Sequence, residues 1–273
     1  MSTFTTSDGT ELYYKDWGTG QPVILTHGWP LNADMWEYQM TFLADNGFRV
    51  IAHDRRGFGR SAQPWAGYDY DTFAGDLNEL IEALELRDVI LGGFSMGGGE
   101  VARYIGRFGT RRIAKAMLIS AVTPLMIRRD DHPEGMDPAI FTGIRAGVLS
   151  DRPKFLDEFG PLFTGSNREG SNVTKQMLDW TLSLGLQASL KGTYDCVAAF
   201  SETDFRPDLA RFDVPTLVVH GDADTVVSFD VTGKAAAALI KDAKLLVYED
   251  APHALYFTHK ERLNQDLLEF ARS

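Results

Sequence analysis

Val89-Ile-Leu-Gly-Gly-Phe-Ser95-Met-Gly97-Gly98-Gly99-Glu100 is the stretch that decides how this chain folds. Val89 to Leu91 open an apolar run of the kind a fully buried parallel strand needs, and Val101, Ala102, Tyr104 and Ile105 follow at helical spacing. Between strand and helix stands Gly-x-Ser-x-Gly, a sharp turn with Ser95 at its apex. Such a turn holds the serine in a strained backbone, and the glycines around it leave no Cβ to collide with neighbouring elements. Met96 N–H then lies at a helix N-terminus, where a developing negative charge is favoured. Glycine-rich loops can spell the same pattern by chance. The strand before and the helix after distinguish this one as a nucleophile turn.

Outward from this turn, short apolar runs alternate with segments of helical period, the signature of a parallel sheet with crossover helices. Buried strands are expected at Val23–Thr26, Arg49–His53, Val89–Gly92, Ala116–Ile119, Thr216–His220 and Lys244–Tyr248. Trp36, Met40 and Leu43 share one helical face, as do Phe73, Leu77, Leu80, Ile81 and Leu84. A last helix is read from Leu263, Leu267 and Leu268, with Thr258 and Glu261 as its capping box. Leu12, Tyr14 and Asp16, bracketed by Asp8-Gly9 and Gly18-Thr-Gly20, read as an antiparallel opening hairpin. Residues 122–212 break the rhythm with no convincing parallel strand, and a structureless loop of that length is improbable in a compact domain. They are read as a helical cap inserted into a core made of residues 1–121 and 213–273. Of its aromatics (Phe141, Phe155, Phe159, Phe163, Trp180, Tyr194 and Phe200), most are expected to serve packing and the remainder to line a pocket between cap and sheet.

A serine hydroxyl needs a base. Of the six histidines, His253 lies in Glu249-Asp-Ala-Pro-His253, a loop after the last strand and after the nucleophile in chain order. His259 reads as a solvated helix-start residue and His132 as a surface residue in a charged loop. The orienting carboxylate should follow an intervening strand, and His220-Gly-Asp222-Ala-Asp224 offers two. Asp224 has the longer reach toward the next loop, while a turn-capping role suits Asp222. A second oxyanion donor is expected after an early strand, where Leu25-Thr-His27-Gly28-Trp29-Pro30 offers the Trp29 N–H and leaves its indole to wall the pocket. His27, His53, Asp54, His220 and Asp222 all end strands and could converge, but no metal-ligand spacing links them, so no metal and no cofactor is expected. Asp54-Arg-Arg-Gly57-Phe-Gly59-Arg-Ser61 lacks the P-loop lysine and reads as a rigid, hydrogen-bonded strand-exit loop.

Composition narrows the partners. The 273 residues are 44% apolar and 24% charged, enough for a sizeable core. Twenty-seven basic against 38 acidic residues give a net charge of −11, which argues against nucleic acid and anionic membranes as partners. Cys196 is the single cysteine, so no internal disulfide is expected. The opening MSTFTTSDGT has no basic and apolar leader pattern, and no apolar run has the roughly 18 residues of a membrane span, so a cytoplasmic protein is expected. A homo-oligomer is allowed by the sequence without being specified.

His-Gly-Trp-Pro, Asp54-x-Arg56-Gly57-x-Gly59-x-Ser61, Gly-x-Ser95-x-Gly and Gly-Asp-x-Asp224, in this order, resemble the α/β-hydrolase family. More closely, the chain is similar to its cofactor-free branch of non-haem haloperoxidases and aryl esterases, with Trp29 to Trp36, Glu202 to Asp208 and Ala251-Pro-His253 adding to the match. The resemblance spans nearly the whole chain. It implies an α/β fold with a mostly parallel sheet of about eight strands flanked by helices, and a helical cap. It also implies a Ser95–His253–Asp224 triad, choosing Asp224 as the acid, and oxyanion donors at Trp29 and Met96. Phe159, Phe163, Phe200, Val226 and Val227, with Met126, match the branch's acyl and alcohol pocket positions. The implied chemistry is acyl transfer: esters or carboxylic acids as substrates, with hydrogen peroxide able to replace water and release a peracid that oxidises halide. Members called haloperoxidases commonly carry a proline after this tryptophan, so Pro30 is read as favouring perhydrolysis by reshaping the loop beside the oxyanion hole. Alternatives on the same fold are lactam opening, carbon–carbon hydrolysis, or a receptor that only binds.

Overall fold

The structure, a computed structural model, describes residues 2–273. Eight strands make one sheet: β1 (Ser2–Thr5), β2 (Glu11–Gly18), β3 (Gln21–Thr26), β4 (Phe48–His53), β5 (Val89–Phe94), β6 (Ile113–Ile119), β7 (Thr216–Gly221) and β8 (Lys244–Tyr248). Their order across the sheet is β1-β2-β4-β3-β5-β6-β7-β8. β1 and β2 pair antiparallel, as do β2 and β4; every other neighbouring pair is parallel. The expected opening hairpin is β1–β2, and the six expected parallel strands are all present, most of them one to three residues longer than their apolar runs.

The parallel strands carry apolar residues on both faces because helices cover both. Ile24, Ile51, Leu91, Leu118 and Val218 belong to one buried cluster, and Val23, Leu25, Val50, Ile90, Met117, Leu217 and Val219 to the other, following the two-residue period of a strand. Helices α1 (Glu37–Asp45), α2 (Tyr70–Ala83) and α3 (Met96–Phe108) divide between these faces: Phe73, Leu77 and Val101 pack on the first, Met40 and Leu43 on the second. Each such buried side chain contributes about 1.5–3 kcal/mol relative to exposure.

Between β6 and β7 lie α4 (Pro138–Thr164), α5 (Lys175–Leu186), α6 (Leu190–Glu202) and the short α7 (Arg206–Leu209). No sheet strand falls in this interval among the described residues; two isolated bridges, Ile127 with Met136 and Arg129 with His132, fold its first loop. Helix α4 is bent at Asp151, whose φ of −158° and ψ of 87° interrupt it two residues before Pro153. The C-terminal part comprises α8 (Gly233–Leu239), α9 (Leu255–Thr258) and α10 (Lys260–Arg272). No described helix is long and apolar enough to cross a membrane.

Three local expectations are corrected. Thr258 does not cap the last helix: it ends α9, and its hydroxyl donates to Ala254 O (3.2 Å) while His259 takes the cap position of α10 without a side-chain cap bond. His259 is half-buried rather than solvated, its ring beside that of Tyr248. His132 is buried, not on the surface: its Nε2 lies 3.0 Å from Leu125 O, and Glu134 Oε1 lies 3.1 Å from its Nδ1.

Candidate active site

The register of the sheet gathers the loops that carry the chemistry. Thr26 of β3 pairs with Gly93 of β5, so the loop after β3 lies beside the serine turn. Gly221 of β7 pairs with Tyr248 of β8, which brings the next two loops together. All four loops leave the C-terminal ends of parallel strands, where open α/β sheets place ligand sites.

Ser95 joins β5 to α3 with φ 53° and ψ −119°, a left-handed φ that a serine adopts only under constraint. Its Oγ lies 3.0 Å from His253 Nε2, and His253 Nδ1 lies 2.6 Å from Asp224 Oδ2. A carboxylate only accepts, so Nδ1–H donates to Asp224 and the free Nε2 lone pair faces the serine hydroxyl. All three side chains are buried. Asp224 Oδ1 accepts from Val226 N (2.9 Å) and Val227 N (2.8 Å), which closes its own turn. Burial alone would push this carboxyl up; the facing His253 and the bonds from His220 and His253 outweigh it and hold the group below the ordinary carboxylate range.

The sequence reading weighed His220 only as a strand-end residue of a possible metal set, not as a partner of the acid. Its Nε2 lies 2.9 Å from Val227 O and 3.2 Å from Asp224 Oδ2, both acceptors, so Nε2–H donates to Val227 O while also facing the carboxylate oxygen that meets His253. The signal was present in the four-residue spacing of His220 and Asp224 around a Gly-Asp turn, but a buried histidine at a strand end reads equally as packing. Asp222 accepts from Asp250 N (2.7 Å) and so ties the acid loop to the histidine loop. That structural role differs from the turn cap expected of it. No group of three His, Cys, Asp or Glu side chains able to hold a metal ion occurs among the described residues, at His27, His53, Asp54, His220 and Asp222 or elsewhere. Asp54 instead braces the strand-exit loop, accepting from Ala33 N (2.8 Å) and Arg60 N (2.7 Å).

Two backbone N–H groups beside the serine turn are left without partners among the described residues. Met96 is the first residue of α3, so its N–H has no intrahelical partner. Trp29 N–H makes no hydrogen bond among the described residues. Gly28 lies against the turn so closely that a Cβ there would stand 2.6 Å from the Phe94 ring and 3.2 Å from Ser95 Cβ. The Trp29 indole donates to Thr193 O (2.9 Å) and packs edge-on to Phe159 and Phe200.

Ser95 and His253 open into a cavity of about 340 Å³ walled almost entirely by apolar side chains. Trp29, Met126, Phe159, Phe163, Phe200, Val226 and Val227 all line it; Pro30 does not. Pro30 lines a neighbouring cavity of about 150 Å³ between α4 and α5, separated from the first by Phe159 and Phe163, whose rings border both. The sequence reading missed Val122, Met136, Ile140, Ile144, Leu162 and Thr225 of the wall. Their signal was the helical spacing of Ile140, Phe141 and Ile144 and of Phe155, Phe159, Leu162 and Phe163 on the two halves of α4. Five of the seven aromatics named above line the cavity (Phe141, Phe155, Phe159, Phe163 and Phe200), so the expectation that most serve packing alone is overturned. Ile140 and Leu162 are exposed and form an apolar rim.

Comparisons with known proteins identify the family. Residues 21–260 match the family described by the alpha/beta hydrolase fold. The chain is 48% identical over 272 residues to a non-heme chloroperoxidase, CPO-A1, of Kitasatospora aureofaciens, covering 99% of both chains. It is 43% identical to a bifunctional esterase/perhydrolase, DCH, of Acinetobacter calcoaceticus, covering 100% of both. Among solved structures, a bromoperoxidase from Bacillus anthracis superposes with a TM-score of 0.96 at 46% identity over 100% of each chain.

Proposed function

Since the chain belongs to the α/β-hydrolase family, we propose that it is a serine carboxylesterase for small-acyl esters that also transfers the acyl group to hydrogen peroxide. The observation that carries this reading is the unbroken contact from Asp224 through His253 to Ser95, ending at an apolar cavity. Ser95 Oγ attacks the ester carbonyl while His253 Nε2 takes the hydroxyl proton and Asp224 stabilises the imidazolium that forms. Trp29 N–H and Met96 N–H receive the oxyanion, each such donor being worth about 2.7–4 kcal/mol of barrier. His253 then protonates the departing alcohol, leaving an acyl-enzyme. Water or hydrogen peroxide, deprotonated by the same nitrogen, attacks the acyl carbon and releases carboxylic acid or peracid with Ser95 restored. A peracid oxidises bromide to hypobromous acid in solution and is itself reduced to the carboxylic acid, so halogenation requires no further group on the protein.

The cavity carries no charged side chain apart from the triad, which favours neutral substrates with apolar acyl and alcohol parts. Residues 122–212 act in this reading as a cap, supplying the wall and rim through α4 and α6. The test supplies acetic acid, hydrogen peroxide and bromide and follows bromination of monochlorodimedone. Bromination that depends on all three and is lost in Ser95→Ala supports the reading. Aryl ester hydrolysis without peroxide-dependent bromination limits it to an esterase, and neither activity in a folded protein refutes it.

A further inference from the structure

The orientation of one oxyanion donor is set by buried side chains that never reach the substrate. In a planar trans peptide the carbonyl and the following N–H point in opposite directions, so whatever fixes Gly28 C=O also aims Trp29 N–H. Gly28 O lies 2.9 Å from His27 Nδ1 and accepts from Leu31 N at 2.9 Å. His27 Nε2 lies 3.0 Å from the backbone N–H of Arg55, which can only donate, so Nε2 is the bare nitrogen and Nδ1 carries the proton given to Gly28 O. Arg55 Nη1, 3.5 Å from Nδ1, is too distant to reverse that assignment. Arg55 also reaches both donor segments: Nη2 donates to His27 O (3.0 Å), and Nε donates to Glu100 Oε2 (2.8 Å) on α3, one turn beyond Met96.

We infer that His27 and Arg55 are positioning residues that hold the Gly28–Trp29 peptide with its N–H directed at the oxyanion, the inference resting on the proposed serine chemistry. The Arg55–Glu100 pair is fully buried, and stability alone does not call for it, because apolar residues of similar volume usually serve a core as well or better. Its placement across the two donor segments is what a role in aiming them requires. Burial and the adjacent guanidinium depress the basicity of His27 well below the usual imidazole range, so one neutral tautomer persists across the working pH.

The test compares His27→Leu, which removes the bond to Gly28 O, with His27→Asn, whose amide NH₂ can stand near the Nδ1 position. Arg55→Lys serves as a second probe should His27→Leu fail to fold. Measured quantities are kcat and KM on an aryl acetate, affinity for an aryl trifluoromethyl ketone, which forms an oxyanionic adduct with the serine, and affinity for the matching uncharged amide. Loss of an oxyanion donor costs about 10²–10³ in kcat, so His27→Leu is expected to lose about 10²-fold in kcat and in ketone affinity alike. KM and amide affinity stay within about twofold, His27→Asn recovers most of the loss, and Arg55→Lys shows the same split more weakly. Unchanged kcat in folded His27→Leu and Arg55→Lys overturns the inference, as does a kcat loss without loss of ketone affinity. Labelling of Ser95 by a fluorophosphonate separates the two levels: a wild type that does not label refutes the proposed function, whereas a labelled wild type with unaffected variants refutes only the positioning role.

Discussion

Replacing Gly97 by alanine tests whether the serine turn is as tightly wedged as the structure makes it. A Cβ at Gly97 would stand 2.4 Å from Thr26 O and 2.6 Å from Thr26 Oγ1. Ordinary contacts to carbon begin near 3.5 Å, so α3 must withdraw from β3 by about 1 Å. The atom in the way is backbone of a central strand and cannot rotate aside. Overpacking of this kind costs about 1–3 kcal/mol, and the bond from Thr26 Oγ1 to Gly97 O (2.9 Å) is strained with it. At roughly 2–4 °C per kcal/mol for a chain of about this size, the midpoint should fall by roughly 2–12 °C. Ser95 and Met96 N–H ride on the same turn, and a misplacement of about 1 Å costs about 10²-fold in rate. Scanning calorimetry and aryl acetate turnover should therefore show both losses in Gly97→Ala. Gly75→Ala is the control: it lies in α2 with nothing within 4 Å of the new Cβ, and should raise stability by about 0.4–1 kcal/mol with activity intact. A Gly97→Ala variant that melts and turns over like the wild type would refute the reasoning.

Three further outcomes follow from the site. Asp224 is held below its ordinary pKa, so its contribution to stability is present above the unfolded value of about 3.9 and is lost as pH falls through it toward the folded one. The stability gap between wild type and Asp224→Asn, measured by urea unfolding, should therefore shrink from pH 6 to pH 3; a constant gap contradicts it. Phe159→Ala should join the cavities of about 340 and 150 Å³ and raise the octanoate-to-acetate ratio of kcat/KM by about tenfold. Gly185→Leu, filling the smaller cavity from α5, should cancel that gain; its persistence would mean the chain goes elsewhere. Pro30→Leu should lower the ratio of perhydrolysis to hydrolysis, read by peracid and acid release from one ester, and an unchanged ratio would leave Pro30 as a loop stiffener.

What the sequence made legible was whatever is local and periodic. The strand, turn and helix around Ser95 announced the nucleophile because Gly-x-Ser-x-Gly is intelligible only in that setting. The parallel strands were visible as apolar runs because both faces of the sheet are covered. The acid was not separable by propensity: Asp222 and Asp224 lie two residues apart, reach toward the next loop leaned to Asp224, and the resemblance chose it as the one that meets His253 Nδ1. The roles of His220, His27 and Arg55 stayed hidden because they depend on contacts between strand ends and loops that folding brings together, as with the bond from Arg55 to Glu100, 45 residues on. The wall of α4 was half-read for a similar reason. An aromatic stripe at helical spacing looks the same whether it packs against a neighbouring helix or faces a cavity. His132 was misplaced by the charges around it, since its imidazole is drawn inward by Leu125 O, a tertiary contact that composition does not encode.

The central claim is that Ser95 carries the acyl group. Its most direct test is rapid mixing of wild type and Ser95→Ala with an activated aryl acetate, followed by mass analysis of the quenched protein. The account predicts a burst of one aryl alcohol per chain in the wild type, an acetyl adduct on the peptide containing Ser95, and neither in Ser95→Ala. Turnover that survives Ser95→Ala, or an adduct on any other residue, would contradict it.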